Sequence, residues 1–124
     1  MAISVSAQMN QRLKQIDSSH NPSPNAYDDF AVDCRSAADL LAENGDFAEA
    51  FKVIEFIKEH DLIPDDDLLN PLLEGFYANT ARQIKGPEVI EQISKTQLDC
   101  LVNASQLKKD ERDQLVRRLR PLLS

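Results

Sequence analysis

The sequence predicts an all-α fold, a compact bundle of about five to six short helices built around one antiparallel helical hairpin. Three observations lead there. With only 3 Gly, no Trp and few β-branched runs among 124 residues, the chain lacks the turns and alternation of a β fold. Its apolar residues recur instead at three- and four-residue spacing, and the breaks between them carry capping and turn residues. A length of 124 residues suits one core, since two would leave each half too small to bury one.

Val5, Met9, Leu13 and Ile16 set a first short amphipathic helix. The run from Ser18 to Asn25, with Pro22 and Pro24 and no apolar residue, reads as an extended linker. Residues 1–25 are therefore expected to form an N-terminal segment, and residues 26–124 a single helical domain. Tyr27, Phe30, Cys34 and Leu41 mark a second helix, ended by Asn44-Gly45, a pair that readily turns left-handed. Asp46 and Glu49 have capping spacing for a third helix from Phe47 to about His60. The short turn forces the pair into a hairpin.

Pro64 breaks the third helix, and Asp65, Asp66 and Asp67 favour the positive start of a fourth. Pro71 is tolerated only near a helix start, so that helix begins either near Asp66 or at Asn70. After Gly86-Pro87, Val89, Ile90 and Ile93 face inward on a short helix. Thr96 caps the next, which carries Leu98, Leu101 and Val102. Asp110 caps the last, with Leu115, Val116 and Leu119, and Pro121 ends it at Arg120.

The formal charge is −7, which repels nucleic acid and anionic membrane at long range. It is unevenly spread. Fourteen acids face Arg35, Lys52 and Lys58 between Asp28 and Glu74, whereas Lys108, Lys109, Arg112, Arg117, Arg118 and Arg120 outnumber the acids near the C-terminus. No apolar run reaches the roughly 18 residues of a membrane span, and the first residues lack a secretory pattern. Arg12 and Lys14 beside a single acid, Asp17, share features with a transit peptide, but arginines are too few. A cytoplasmic protein is expected. Cys34 and Cys100, outside any CxxC pair, read as thiols on the inner sides of helices.

Residues 44–79, NGDFAEAFKVIEFIKEHDLIPDDDLLNPLLEGFYAN, resemble one pentatricopeptide-type unit, and more broadly the hairpins of tetratricopeptide-like proteins. The shared features are the Gly-Asp turn, an Ala-bearing amphipathic helix, the Leu-Ile-Pro-Asp bend and a second helix. The resemblance implies a helical hairpin stacked on flanking helices. Pentatricopeptide arrays bind single-stranded RNA, but no second copy follows at a period of about 34 residues, and the charge has the wrong sign. The shape is carried over; the ligand is not.

No phosphate loop, HExxH or nucleophile elbow is present. His20 lies in the linker and His60 suits a helix C-terminus. The acidic triplet at Asp65 fails the calcium-loop pattern, because Leu69 stands where an oxygen ligand is needed. An enzyme is not expected, nor a metal or cofactor. The expected function is non-catalytic capture of another protein by a small acidic helical adaptor, chaperone, immunity protein or regulator antagonist. Phe56 and Val53 fall outside the main apolar stripe of the third helix, and Tyr77 lies on a margin of the fourth. They are either covered by other helices or part of a binding groove. If a groove, Phe56 is its anchor, with Glu49, Lys52 and Glu59 as a polar rim. The alternative is nucleic-acid binding through the six basic residues of the last helix, against which stand interleaved acids and the lack of a nearby aromatic. The charge asymmetry also allows a homodimer, basic helix against acidic hairpin.

Overall fold

The computed structural model describes residues 4–19, 25–85 and 89–123. Its helices run α1 (Val5–Asp17), α2 (Ala26–Glu43), α3 (Phe47–Glu59), α4 (Asp66–Gln83), α5 (Val89–Gln92), α6 (Lys95–Val102) and α7 (Lys109–Leu123), with no strand among the described residues. The fold is all-α, as the sequence predicts.

Local chemistry explains the hairpin. Gly45 takes φ +82° and lets two bonds close the end of α2, Gly45 N–H to the Ala42 carbonyl at 3.0 Å and Asp46 N–H to the Leu41 carbonyl at 2.9 Å. The Asp46 carboxylate then accepts from Glu49 N–H at the start of α3. The same closure recurs after α3, where Leu62 N–H reaches the Ile57 carbonyl, but there the left-handed residue is Asp61, φ +49°. Leu62 is buried, which anchors the bend.

Helix α2 is the centre of the bundle and packs on α1, α3 and α4. Phe30, Cys34 and Ala38 on its inner side are buried together with Phe51, Ile54 and Ile57 of α3 and Phe76 of α4. The Phe51 ring meets the Phe76 ring edge-on, centroids 5.4 Å apart. Burying each such side chain contributes about 1.5–3 kcal/mol. Helix α4 in turn carries α6 and α7.

The placing of α1, the cap of α6 and the ends of α7 differ from expectation, and the open start of α4 is fixed. Helix α1 buries Met9 and Leu13 in the same core, so residues 5–17 are part of the domain and do not stand apart from it. The linker residues 20–24 lie outside the described residues, as do the side chains of Val89 and Ile90. Of the two starts open to α4, the structure takes Asp66, capped by Asp65, and keeps Pro71 inside the helix on an exposed side. Ser94, not Thr96, caps α6, because the residue three positions on is Gln97, whose side chain returns the hydrogen bond. Helix α7 starts at Lys109 with Asp110 in its first turn, and passes through Pro121 to Leu123. There the proline removes one bond from a last turn while Leu115 and Leu119 already hold the helix to the core.

Candidate binding face between α2 and α4

The residues expected to dock a partner lie mostly inside. Val53 is fully buried and Phe56 and Tyr77 are each 8% exposed. Phe56 packs edge-on to Phe30 of α2 at 6.1 Å and lies against His60 at 4.2 Å. The surplus apolar arc is thus explained by burial on two sides, and Phe56 is corrected from anchor to core. Tyr77 is held between Phe51 and Phe76, and its hydroxyl accepts from Lys58 Nζ at 3.4 Å. Glu49 is also committed inward, accepting from Ser6 N–H at 2.8 Å. Burial pushes its carboxyl up, but the Ser6 bonds and Lys52 outweigh that and leave it below the usual range. Only Lys52 and Glu59 of the proposed rim are exposed.

The basic residues do not form one patch. Arg118 donates to the Ile84 carbonyl at 2.7 Å, and Arg112 is half-buried with its Nε out of solvent. Lys108, Lys109, Arg117 and Arg120 are exposed. Glu111 sits among them, accepting from Arg82 Nε at 2.6 Å.

A different surface is apolar and open. Val32 is 53%, Leu40 60% and Leu68 61% exposed. Val32, Ser36 and Leu40 recur every fourth residue, so they form one ridge along the outer side of α2. Helix α4 lies beside it, running in the same direction: Arg35 reaches the Leu72 carbonyl at 3.2 Å, and further on Asp39, Ala42 and Glu43 lie opposite Asn79, Thr80 and Gln83. The Arg35 guanidinium lies close over Gly75, where a Cβ would stand 3.0 Å from its nitrogens. Neither the ridge nor the pairing figured in the sequence reading; the mid-helix glycine was the one signal for it.

Between the two helices lies a pocket of about 190 Å³ lined by Asp39, Ala42, Glu43, Asn79, Thr80 and Gln83. The Asp39 Oδ2 accepts from Arg35 Nε at 3.0 Å, but Oδ1 is buried with no protein partner. The hydroxyl of Thr80, a fully buried residue, has none either. Burial raises the Asp39 carboxyl above its ordinary value, Arg35 opposes this and Glu43 adds to it. An unpartnered buried hydroxyl costs about 1–3 kcal/mol, and valine has the same shape without it. Thr80→Val is therefore expected to stabilise the chain by about 1 kcal/mol, read as a higher urea midpoint at unchanged slope. An equal or lower midpoint would show that the hydroxyl is satisfied.

A second hollow, near 470 Å³ and more open, lies beside His60 and is lined by Leu13, Asp17, Tyr27, Asp28, His60, Asp61, Leu62 and Pro64. The Tyr27 hydroxyl donates to Asp17 there at 2.7 Å. Among the described residues no group of three or more His, Cys, Asp or Glu side chains is placed to hold a metal ion, and no helix is long and apolar enough to cross a membrane. No family model, curated protein or solved structure matches the chain.

Proposed function

We propose that this chain is a non-catalytic binding protein that captures another protein on the α2–α4 face, in the manner of a small acidic adaptor, chaperone, immunity protein or antagonist. The observation that carries this reading is the exposed apolar ridge of Val32 and Leu40 on α2, together with the exposed Leu68 in the first turn of α4. Around it stand exposed carboxylates, Asp28 and Asp29 at the start of α2 and Asp65, Asp66 and Asp67 at the start of α4. A partner segment with apolar residues flanked by basic ones suits that surface, the apolar contacts supplying affinity and the charges steering encounter. The free thiols of Cys34 and Cys100 suit a reducing compartment such as the cytoplasm.

Leu40→Asp and Leu68→Asp test the reading, because both side chains are mostly in solvent and the fold should tolerate them. A pull-down from the native lysate with the unmodified chain should recover a partner that either variant binds more weakly, by about 1 kcal/mol or more, at unchanged melting temperature. Sedimentation of the same samples separates a second copy of the chain from a foreign partner. Equal recovery by both variants would remove this face, and recovery of the bare monomer at low salt would remove the function.

A further inference from the structure

We infer that the occupant of the α2–α4 face is a basic amphipathic α-helix of a foreign protein. The inference rests on the protein-binding reading and names the kind of segment that such a partner presents. Helix periodicity supplies the geometry. Val32 lies one heptad before Asp39, which faces α4 across the pocket, and Leu68 lies one heptad before Gly75, over which Arg35 of α2 reaches. Each therefore stands on the side of its helix that turns toward the α2–α4 seam. Leu40 follows Val32 by a little over two turns, about 12 Å along the axis, and Ser36 between them is short, so the exposed ridge dips at its middle.

A segment buried on this ridge must satisfy its own backbone. The middle turns of α2 and α4 spend their amides and carbonyls within each helix, and no strand edge is present among the described residues to pair with an extended chain. A helix brings its hydrogen bonds with it, and its apolar side chains at i, i+4 and i+8 repeat at the pitch of Val32, Ser36 and Leu40.

Charge selects the partner. Asp29 and Glu43, two heptads apart, lie on the same outer side of α2 and bracket Val32 and Leu40. Both are exposed, and neither is in an ion pair among the described residues. Glu43 ends α2, where the helix's own field disfavours a carboxylate and the last turn holds no base to offset it. The one base in each of α2 and α4, Arg35 and Arg82, is already held by Asp39 and Glu111. An apolar stripe with Lys or Arg at both ends complements this surface. The same charges disfavour a second copy. Face against face would set carboxylates against carboxylates. Helix α7 of another copy has the right sign, but its Leu115 and Leu119 are buried in its own core, and no exposed large apolar side chain among the described residues lies on it.

The test is an amide NMR titration of the full chain with two capped leucine–lysine peptides of one composition. One is stapled as a helix of about four turns, leucines along one side and lysines at both ends; the other alternates the same residues so that no apolar helical side forms. The helical peptide should shift the amides of Val32, Ser36, Leu40 and Leu68 saturably and bind at least about tenfold more tightly than the alternating one. Leu40→Ser should weaken it about tenfold, and Asp29→Asn together with Glu43→Gln about fivefold with a flatter salt dependence, each variant first shown to keep its amide spectrum. Equal or tighter binding of the alternating peptide would overturn the helix. Shifts centred on another face, or no shifts, would overturn this occupant. Self-association of the free chain that Leu40→Ser removes would overturn it in favour of a second copy. The protein-binding reading fails separately: a lysate partner whose recovery falls with Leu40→Asp upholds that reading even where the helical peptide does not bind, and the captured segment is then not a helix.

Discussion

Replacing Phe56 by alanine is expected to lower stability by about 3–5 kcal/mol. The ring is 8% exposed and meets Phe30 edge-on at 6.1 Å, so its loss removes an aromatic pair as well as buried area. Neighbours cannot close the gap easily, because Phe30 is itself fixed from the other side by the Arg12 guanidinium, 5.1 Å from its centroid. For a chain of this size the loss corresponds to a fall of very roughly 10–20 °C in melting temperature. Urea and thermal unfolding measure it directly. Partner binding, read well below the melting temperature of the variant, should be unchanged. A stability loss under about 1 kcal/mol together with weakened binding would return Phe56 to the surface.

Alkaline pH should cost the protein roughly 2–3 kcal/mol through Cys34 alone. Its side chain is fully buried in α2, and burial pushes the thiol from the ordinary 9.0 up to about 11, with Arg12 pulling it down and Asp33 pushing it further up. The folded chain therefore keeps this proton longer than the unfolded chain. Stability from the group is complete below about pH 9 and is lost as pH rises through 11, at about 1.4 kcal/mol for each unit between the two values. Cys34→Ala isolates the effect, since other groups titrate alike in both proteins. The difference in unfolding free energy between the two should be constant from pH 7 to about 8.5 and shrink toward pH 10.5. A difference that stays constant would mean that the thiol reaches solvent.

The parts of the fold governed by neighbouring residues were legible in the sequence. Asn44, Gly45, Asp46 and Glu49 contain the turn and the cap of the hairpin within six positions, and the geometry found there is the one their chemistry dictates. The docking of α1 was not legible. Two prolines after it imply an extended connection, but an extended connection is silent on whether the helix folds back to bury Met9 and Leu13 in the core. The same limit hid the pocket: Asp39 and Thr80 come to line one hollow through the register of α2 on α4, which is set by packing over the whole of both helices. Gly75 was a local trace of that register, a costly residue in mid-helix where a guanidinium crosses the backbone.

The first turn of α3 has a history that its own sequence does not contain. The Phe47 and Ala48 amides donate to Gln92 Oε1, at 2.9 and 3.3 Å, while Gln92 Nε2 donates back to the Gly45 carbonyl. Glu49, in the same turn, is held by Ser6. Two distant stretches of chain, separated by 43 and 45 positions from the residues they bind, thus close on one helical turn. A nascent chain that has emerged only as far as α3 can draw the hairpin but cannot finish its end. The amides that begin the helix stay with water until α5 arrives, so the local element is completed by the most distant contacts and the domain is tied into one cooperative unit at that point.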